Sequence, residues 1–123
     1  METHRLVLPE DLSHYGFLFG GRLLAWVDEA SWIAASLDFP HCKFVTIAMD
    51  RVEFHHSVRD GSILKIKCRQ VRTGTTSVTY AVDVTQHGGK APLLLDPIFS
   101  THITFVNVDD HGAKQPIPLE IKS

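Results

Sequence analysis

The chain has 123 residues, 14 acidic against 12 basic, a formal charge of −2 and an apolar content of 44%. That is one domain's worth, large enough to bury a core without cross-links and too apolar for a disordered segment. The near-neutral balance, with Lys and Arg scattered along the chain, argues against a nucleic-acid footprint or a polybasic membrane patch.

Residues 3–8 (THRLVL) read as a short strand closed by Pro9, and Glu10 to Tyr15 as a polar loop in which Asp11 or Ser13 caps a turn. The stretch Gly16 to Leu37, GFLFGGRLLAWVDEASWIAASL, then carries neither Pro nor Gly for about four turns beyond the pair Gly20-Gly21. It ends near Asp38, with Pro40 as a stop. Leu23, Val27, Ala30, Ala34 and Leu37 form an apolar stripe at helical spacing, widened by Leu24, Ala35, Trp26 and Trp32. A helix so apolar reads as a buried central element. Asp28 and Glu29 interrupt it, and a buried carboxylate costs free energy unless something offsets it.

From Phe44 the period changes to two. Val45, Ile47 and Met49 share one face while Val52 and Phe54 fall on the other, so a bulge, a bend or a strand junction is expected around Asp50-Arg51. Arg59-Asp60-Gly61 marks a turn. Leu64, Ile66 and Cys68 alternate with Lys65, Lys67 and Arg69, a strand with one wet face. Thr73-Gly74-Thr75 turns into Val78, Tyr80, Val82 and Val84, the clearest strand. Gln86 to Lys90 reads as a Gly-rich turn, and Leu93 to Leu95 shows no period before Asp96-Pro97. Ile98 to Val108 reads as a last strand and Asp109 to Lys114 as a turn. The tail around Pro116 and Pro118 is expected to be loosely ordered.

One long helix followed by four or five strands on short turns implies an α+β layer in a single domain, 1–123. The sheet is expected to be antiparallel, because turns of three to five residues cannot make parallel crossovers. A sheet curled on one helix leaves an open edge and an uncovered face. A second copy would cover both, so at least a homodimer is expected.

The segments GFLFGGRLLAWVDEAS, VTIAMDRVEFHHSVRDGS, RQVRTGTTSVTYAVDV and FVNVDDHGAKQPIP, in this order, resemble the acyl-CoA thioesterases of the hotdog-fold superfamily over nearly the whole chain. The resemblance implies a curved antiparallel sheet around a central helix, and a dimer with active sites between subunits, often assembled as a trimer of dimers. It also implies hydrolysis of acyl-CoA to a free carboxylic acid and coenzyme A without a cofactor. In the family's pattern the catalytic carboxylate is an Asp seven residues after the second Gly of FGG. Here that gives Phe19-Gly20-Gly21 and Asp28, with backbone amides around Gly20 and Gly21 polarising the thioester carbonyl. The segment Arg72-Thr73-Gly74-Thr75-Thr76-Ser77 resembles the part of the fold beside the nucleotide and pantetheine arm of coenzyme A. Two departures stand out. Ser13 occupies a position where relatives commonly carry Asn, and as the second polar member of the site it has less reach than an amide. Ser57 stands where Pro is common.

The residues suit that chemistry. A helix N-terminus offers unpaired N–H groups and a positive dipole end to an oxyanion. A carboxylate can activate water or attack the carbonyl itself. The competing reading of Asp28 is a carboxylate on a polar helix edge, paired to Lys or Arg; Glu29 reads as solvent-facing or as a dimer contact. Among eight histidines, the adjacent His55 and His56 point to opposite faces of a strand, and no HxH, HExxH or CxxC spacing occurs, so no metal site is expected. Cys42 and Cys68 are isolated and read as reduced thiols. Asp50 and His55 show the spacing of hotdog-type enoyl-CoA hydratases, an alternative that a straight strand disfavours by placing them on opposite faces. A non-catalytic acyl-CoA-binding subunit is a third reading. Trp26 and Trp32 read as core or interface before acyl pocket. METHRLVLPEDL lacks a signal-peptide run and no 18-residue apolar stretch occurs, so a cytoplasmic protein with neither membrane nor nucleic-acid partners is expected.

Overall fold

The computed structural model describes residues 1–89 and 97–118. Their order is β1 (Glu2–Leu6), a 3-10 turn (Pro9–Asp11), α1 (Gly20–Asp38), β2 (Phe44–Phe54), β3 (Ser62–Thr73), β4 (Ser77–Gly89) and β5 (Phe99–Asn107). The strands form one antiparallel sheet in the order β1-β3-β4-β5-β2, with α1 packed across it. The expected α+β layer is present.

The core lies between α1 and the inner face of the sheet. Leu64, Ile66 and Cys68 of β3, Val78, Tyr80, Val82 and Val84 of β4, and Phe99, Ile103 and Phe105 of β5 are all buried there. Each fully buried large side chain contributes about 1.5–3 kcal/mol of hydrophobic stabilisation. The alternation that marked β3 and β4 therefore reports their inner face directly. The helix contributes Leu23, Trp26, Val27, Ala30, Ser31, Ala34 and Ala35. Leu37, expected on the buried stripe, is instead 64% exposed, while Phe39, just past the helix, is fully buried in the core. The chain leaves the helix there because the residue before Pro40 is driven out of the helical region. At the same end the Tyr80 hydroxyl donates to Asp38 Oδ2 at 2.5 Å.

β2 is a single bent strand. Its register against β5 slips between Thr46 and Ala48 and again between Asp50 and Glu53, and Arg51 adopts φ 53. The expected bulge is thus where the apolar phase switched. Gly61, at φ 84, makes the turn after Arg59-Asp60 that a Cβ would strain. Two further expectations fail. Gln86 to Gly89 is not a turn but the end of β4, where Leu64, Ile63 and Ser62 of β3 pair with Gln86, Gly88 and Gly89; the long partner strand overrides the glycines' weak β propensity. Lys90 and Leu93 to Asp96 lie outside the described residues. The tail is not loose at Ile117, which is buried and donates its N–H to the Thr75 carbonyl at 2.8 Å.

Candidate active site

The start of α1 is built from Asp11 outward. Asp11 is buried; its carboxylate accepts the Leu8 N–H at 2.9 Å and lies 3.4 Å from Arg22 Nε. Its carbonyl accepts the Phe19 N–H at 3.0 Å, fixing the residue that caps the helix. Arg22 and Leu23 both donate to the Phe19 carbonyl. The N–H groups of Gly20 and Gly21 have no acceptor among the described residues, as the first turn of a helix leaves them. Gly20 lines a cleft of about 220 Å³ with Phe17, Leu23, Phe54, His55 and His56. A methyl group at Gly20 would meet the Phe54 ring at 3.4 Å, an ordinary contact.

Asp28 is not buried. It is half-exposed on the flank of α1 beside β2, and Thr46 Oγ1 donates to its Oδ1 at 2.7 Å. The expectation of a buried carboxylate fails because that flank has no further layer over it in one chain. No Lys or Arg is within ion-pair distance of Asp28 among the described residues. Glu29 takes that role, meeting Arg5 Nη2 at 2.5 Å from a largely exposed position. The carboxylate of Asp28 is thus oriented by a neutral hydroxyl and not neutralised by a cation. Thr46 was not singled out by the sequence; its signal was the strand phase that sets it opposite Val45 and Ile47.

One chain does not bring the expected site residues together. Asp28 lies eight residues beyond Gly20, about 12 Å along the helix axis. Ser13 is spent on its own turn: its Oγ accepts the Tyr15 N–H at 3.3 Å and its carbonyl the Gly16 N–H at 3.0 Å. The segment from Arg72 to Ser77 forms the β3–β4 hairpin, closed by the Gly74 N–H on the Ser77 carbonyl at 2.7 Å. Thr75 and Thr76 accept the N–H groups of Ile117 and Asn107 through their carbonyls, and Thr73 Oγ1 accepts from Gln70 Nε2. Thr73, Gly74 and Thr75 line a hollow of about 400 Å³ with Pro116 and Ile117. The register places this hairpin at the other end of the sheet. Gly20 abuts Phe54, Phe54 pairs with Phe99 and Phe99 with Val84, and Ser77 is seven residues further along β4, about 23 Å away.

The other candidates resolve locally. His55 Nε2 faces Glu53 Oε1 at 3.4 Å and forms no ion pair with Asp50, which is exposed on β2, so the hydratase geometry is not assembled. No group of three or more His, Cys, Asp or Glu is placed to hold a metal among the described residues. Trp26 is buried under the Arg5 guanidinium, and Trp32 donates its indole N–H to the Phe44 carbonyl at 3.0 Å; both tie the helix to its surroundings. Burial pushes the Cys68 thiol up to about 11 and raises that of Cys42, so neither is an activated nucleophile. No helix among the described residues is long and apolar enough to cross a membrane.

The family profile of the thioesterase superfamily matches residues 15–93, more than half of the chain. A cytosolic acyl coenzyme A thioester hydrolase of Mus musculus is 29% identical over 92% of this chain, and the chain spans only 30% of that relative's length. Among solved structures, a hexameric hotdog fold thioesterase of Campylobacter jejuni is 33% identical, with a TM-score of 0.84 over 96% of this chain and 90% of its own. An acyl-CoA hydrolase of Staphylococcus aureus in complex with coenzyme A is 29% identical, with a TM-score of 0.85 over 96% of this chain and 70% of its own. The sheet and helix described above are the hotdog fold.

Proposed function

The chain belongs to the thioesterase superfamily, and from that membership we propose that it hydrolyses acyl-CoA thioesters to a carboxylic acid and coenzyme A, with Asp28 as the catalytic carboxylate. The observation that carries the assignment is Asp28 itself, a carboxylate with no ion-pair partner among the described residues, held by Thr46 on a flank left uncovered in one chain. As water attacks the thioester carbonyl carbon, the carboxylate takes its proton. The oxyanion forms against the helix-start N–H groups, and collapse expels the thiolate, which recovers the proton. Direct attack by Asp28, giving a mixed anhydride that water then opens, uses the same residues. Labelled water in a single turnover separates the two: direct attack by water puts the label into the product acid, whereas opening of the anhydride at the Asp28 carbon puts it into the Asp28 side chain.

The separation of about 12 Å between Asp28 and Gly20 on one helix exceeds what a single carbonyl can bridge. We therefore assign the carboxylate to one subunit and the N–H groups to another. The open edge of β2 supports that assembly: Val45, Ile47, Val52 and Phe54 are exposed along it. A homodimer paired there, with trimers of such dimers as the larger form, would set Asp28 of one chain near the helix start of the other. The hairpin from Arg72 to Ser77, with its adjoining hollow, is assigned to the phosphates and pantetheine of coenzyme A. Ser13, turned to its own loop, is assigned a supporting role at the helix entrance. We place the enzyme in the cytosol by analogy with the mammalian relatives.

The test is free-thiol release from a panel of acyl-CoA substrates by wild type and Asp28→Asn. Loss of at least about 100-fold in kcat with substrate binding retained is expected. Near-wild-type turnover in the variant would remove Asp28 from the mechanism. Hydration of an enoyl-CoA with its thioester intact would replace the reaction class.

A further inference from the structure

The face of the sheet turned away from α1 carries a separate hollow of about 210 Å³. Its floor is Ala81, which sits in register between Arg69 of β3 and His102 of β5 and is 5% exposed. On this face of β4 the Ala81 methyl stands between the larger Thr79 and Asp83 and leaves a depression there. Arg51 reaches its rim from β2. It stands in the bulge between Asp50 and Glu53 and holds φ 53, a left-handed conformation uncommon outside glycine. Bulges re-aim side chains, and non-glycine residues held in this region concentrate at ligand clamps.

The charges around the hollow are not matched to one another. Among the described residues neither Arg51 nor Arg69 has a carboxylate within ion-pair distance, although Glu53 and Asp83 line the same depression. Glu53 is turned to His55. Two guanidiniums without an ion-pair partner among the described residues, lining one hollow with the Ser100 hydroxyl, are the donor set that recognises a phosphoryl group. Asp83 would repel a bare anion, but it accepts hydrogen bonds from hydroxyls.

We propose that this hollow binds a small phosphorylated polyol, its phosphate held between Arg51 and Arg69 and a hydroxyl donated to Asp83. The site is independent of the thioester reaction, and neither arginine belongs to the assigned catalytic or coenzyme A residues. Calorimetric titration of the whole chain with ribose 5-phosphate, and separately with inorganic phosphate, tests it. Saturable binding of ribose 5-phosphate is expected, tighter than that of inorganic phosphate. Arg51→Gln and Arg69→Gln should each weaken it by roughly tenfold or more. Ala81→Leu, which fills the floor and leaves every charge in place, should abolish it while thiol release from acyl-CoA is kept. Absence of binding, or binding unchanged in all three variants, would overturn the proposal. So would a changed sedimentation coefficient in the arginine variants, because the hollow would then be an interface between copies.

Discussion

The proposed division of the active site between two chains is open to a genetic test. Asp28→Asn removes the carboxylate. Gly20→Pro removes one helix-start N–H and little else: proline is favoured at the first helical position, and Phe19 before it is already extended, with ψ 130. A Cβ at this position would meet the Phe54 ring at 3.4 Å, an ordinary contact. Each homogeneous variant should lose about 100-fold or more in kcat, the usual effect of deleting a catalytic carboxylate or one oxyanion donor. Co-expression on two affinity tags changes the outcome. In a two-fold dimer about half of the assemblies are mixed, and in each mixed dimer one site collects both lesions while the other has none. Mixed dimers isolated on both tags should therefore show about half of wild-type activity, and the unsorted mixture about a quarter. If one chain supplies both groups, every site carries a lesion and neither sample exceeds the sum of its parents. That result would refute the two-chain site.

Removing the Tyr80 hydroxyl leaves the Asp38 carboxylate without its donor at the end of α1, where the helix dipole already disfavours a negative charge. Tyr80→Phe should cost about 1–3 kcal/mol in a urea titration, and an unchanged midpoint would count against the contact. At pH 8 a thiol reagent should label Cys42 and spare Cys68 until the protein unfolds. The raised Cys68 value means its share of stability is intact below the unfolded thiol's pKa of about 8.5 and is lost as pH climbs towards the folded value of about 11. Rapid native labelling of Cys68 would contradict that burial. Asp109 is held below the usual carboxylate range, first by the Ala113 N–H and then by that of His111. The turn it organises should hold at pH values above about 4 and loosen as pH falls through the lower folded value. Amide shifts of Ala113 and His111 in an acid titration follow this directly, and a midpoint at or above the ordinary Asp value would refute it.

What the sequence disclosed depended on how far each residue's surroundings are local. β3 and β4 announced themselves because one face is core and the other solvent, so Leu64 to Cys68 and Val78 to Val84 alternate cleanly. The phase switch at Asp50-Arg51 was visible for the same reason, as a displaced alternation. Gln86 to Gly89 misled because glycines signal turns locally, whereas partner residues 22 to 27 positions earlier in the chain hold them extended. Asp28 was singled out by the family pattern that follows Gly20-Gly21, but its environment could not be read from the sequence. The helix stripe says which side faces the sheet, and only the tertiary arrangement shows that the opposite flank stands open and that Thr46 reaches it. The hollow over Ala81 had no linear signature, since its lining comes from four strands.

The open edge of β2 also bears on how the protein behaves at low concentration. A strand with an unpaired ladder and exposed Val45, Ile47, Val52 and Phe54 is a template for any extended chain that reaches it, related or not. Pairing with the proper copy is second order in protein, while unfolding of a lone chain is first order. Dilution therefore lengthens the time each newly made subunit spends with that edge bare, and measured melting temperatures should climb with concentration. Early in synthesis, when few copies exist, the hazard is capture by the wrong strand, and the charged residues Asp50, Arg51 and Glu53 within β2 are placed to make such pairings costly.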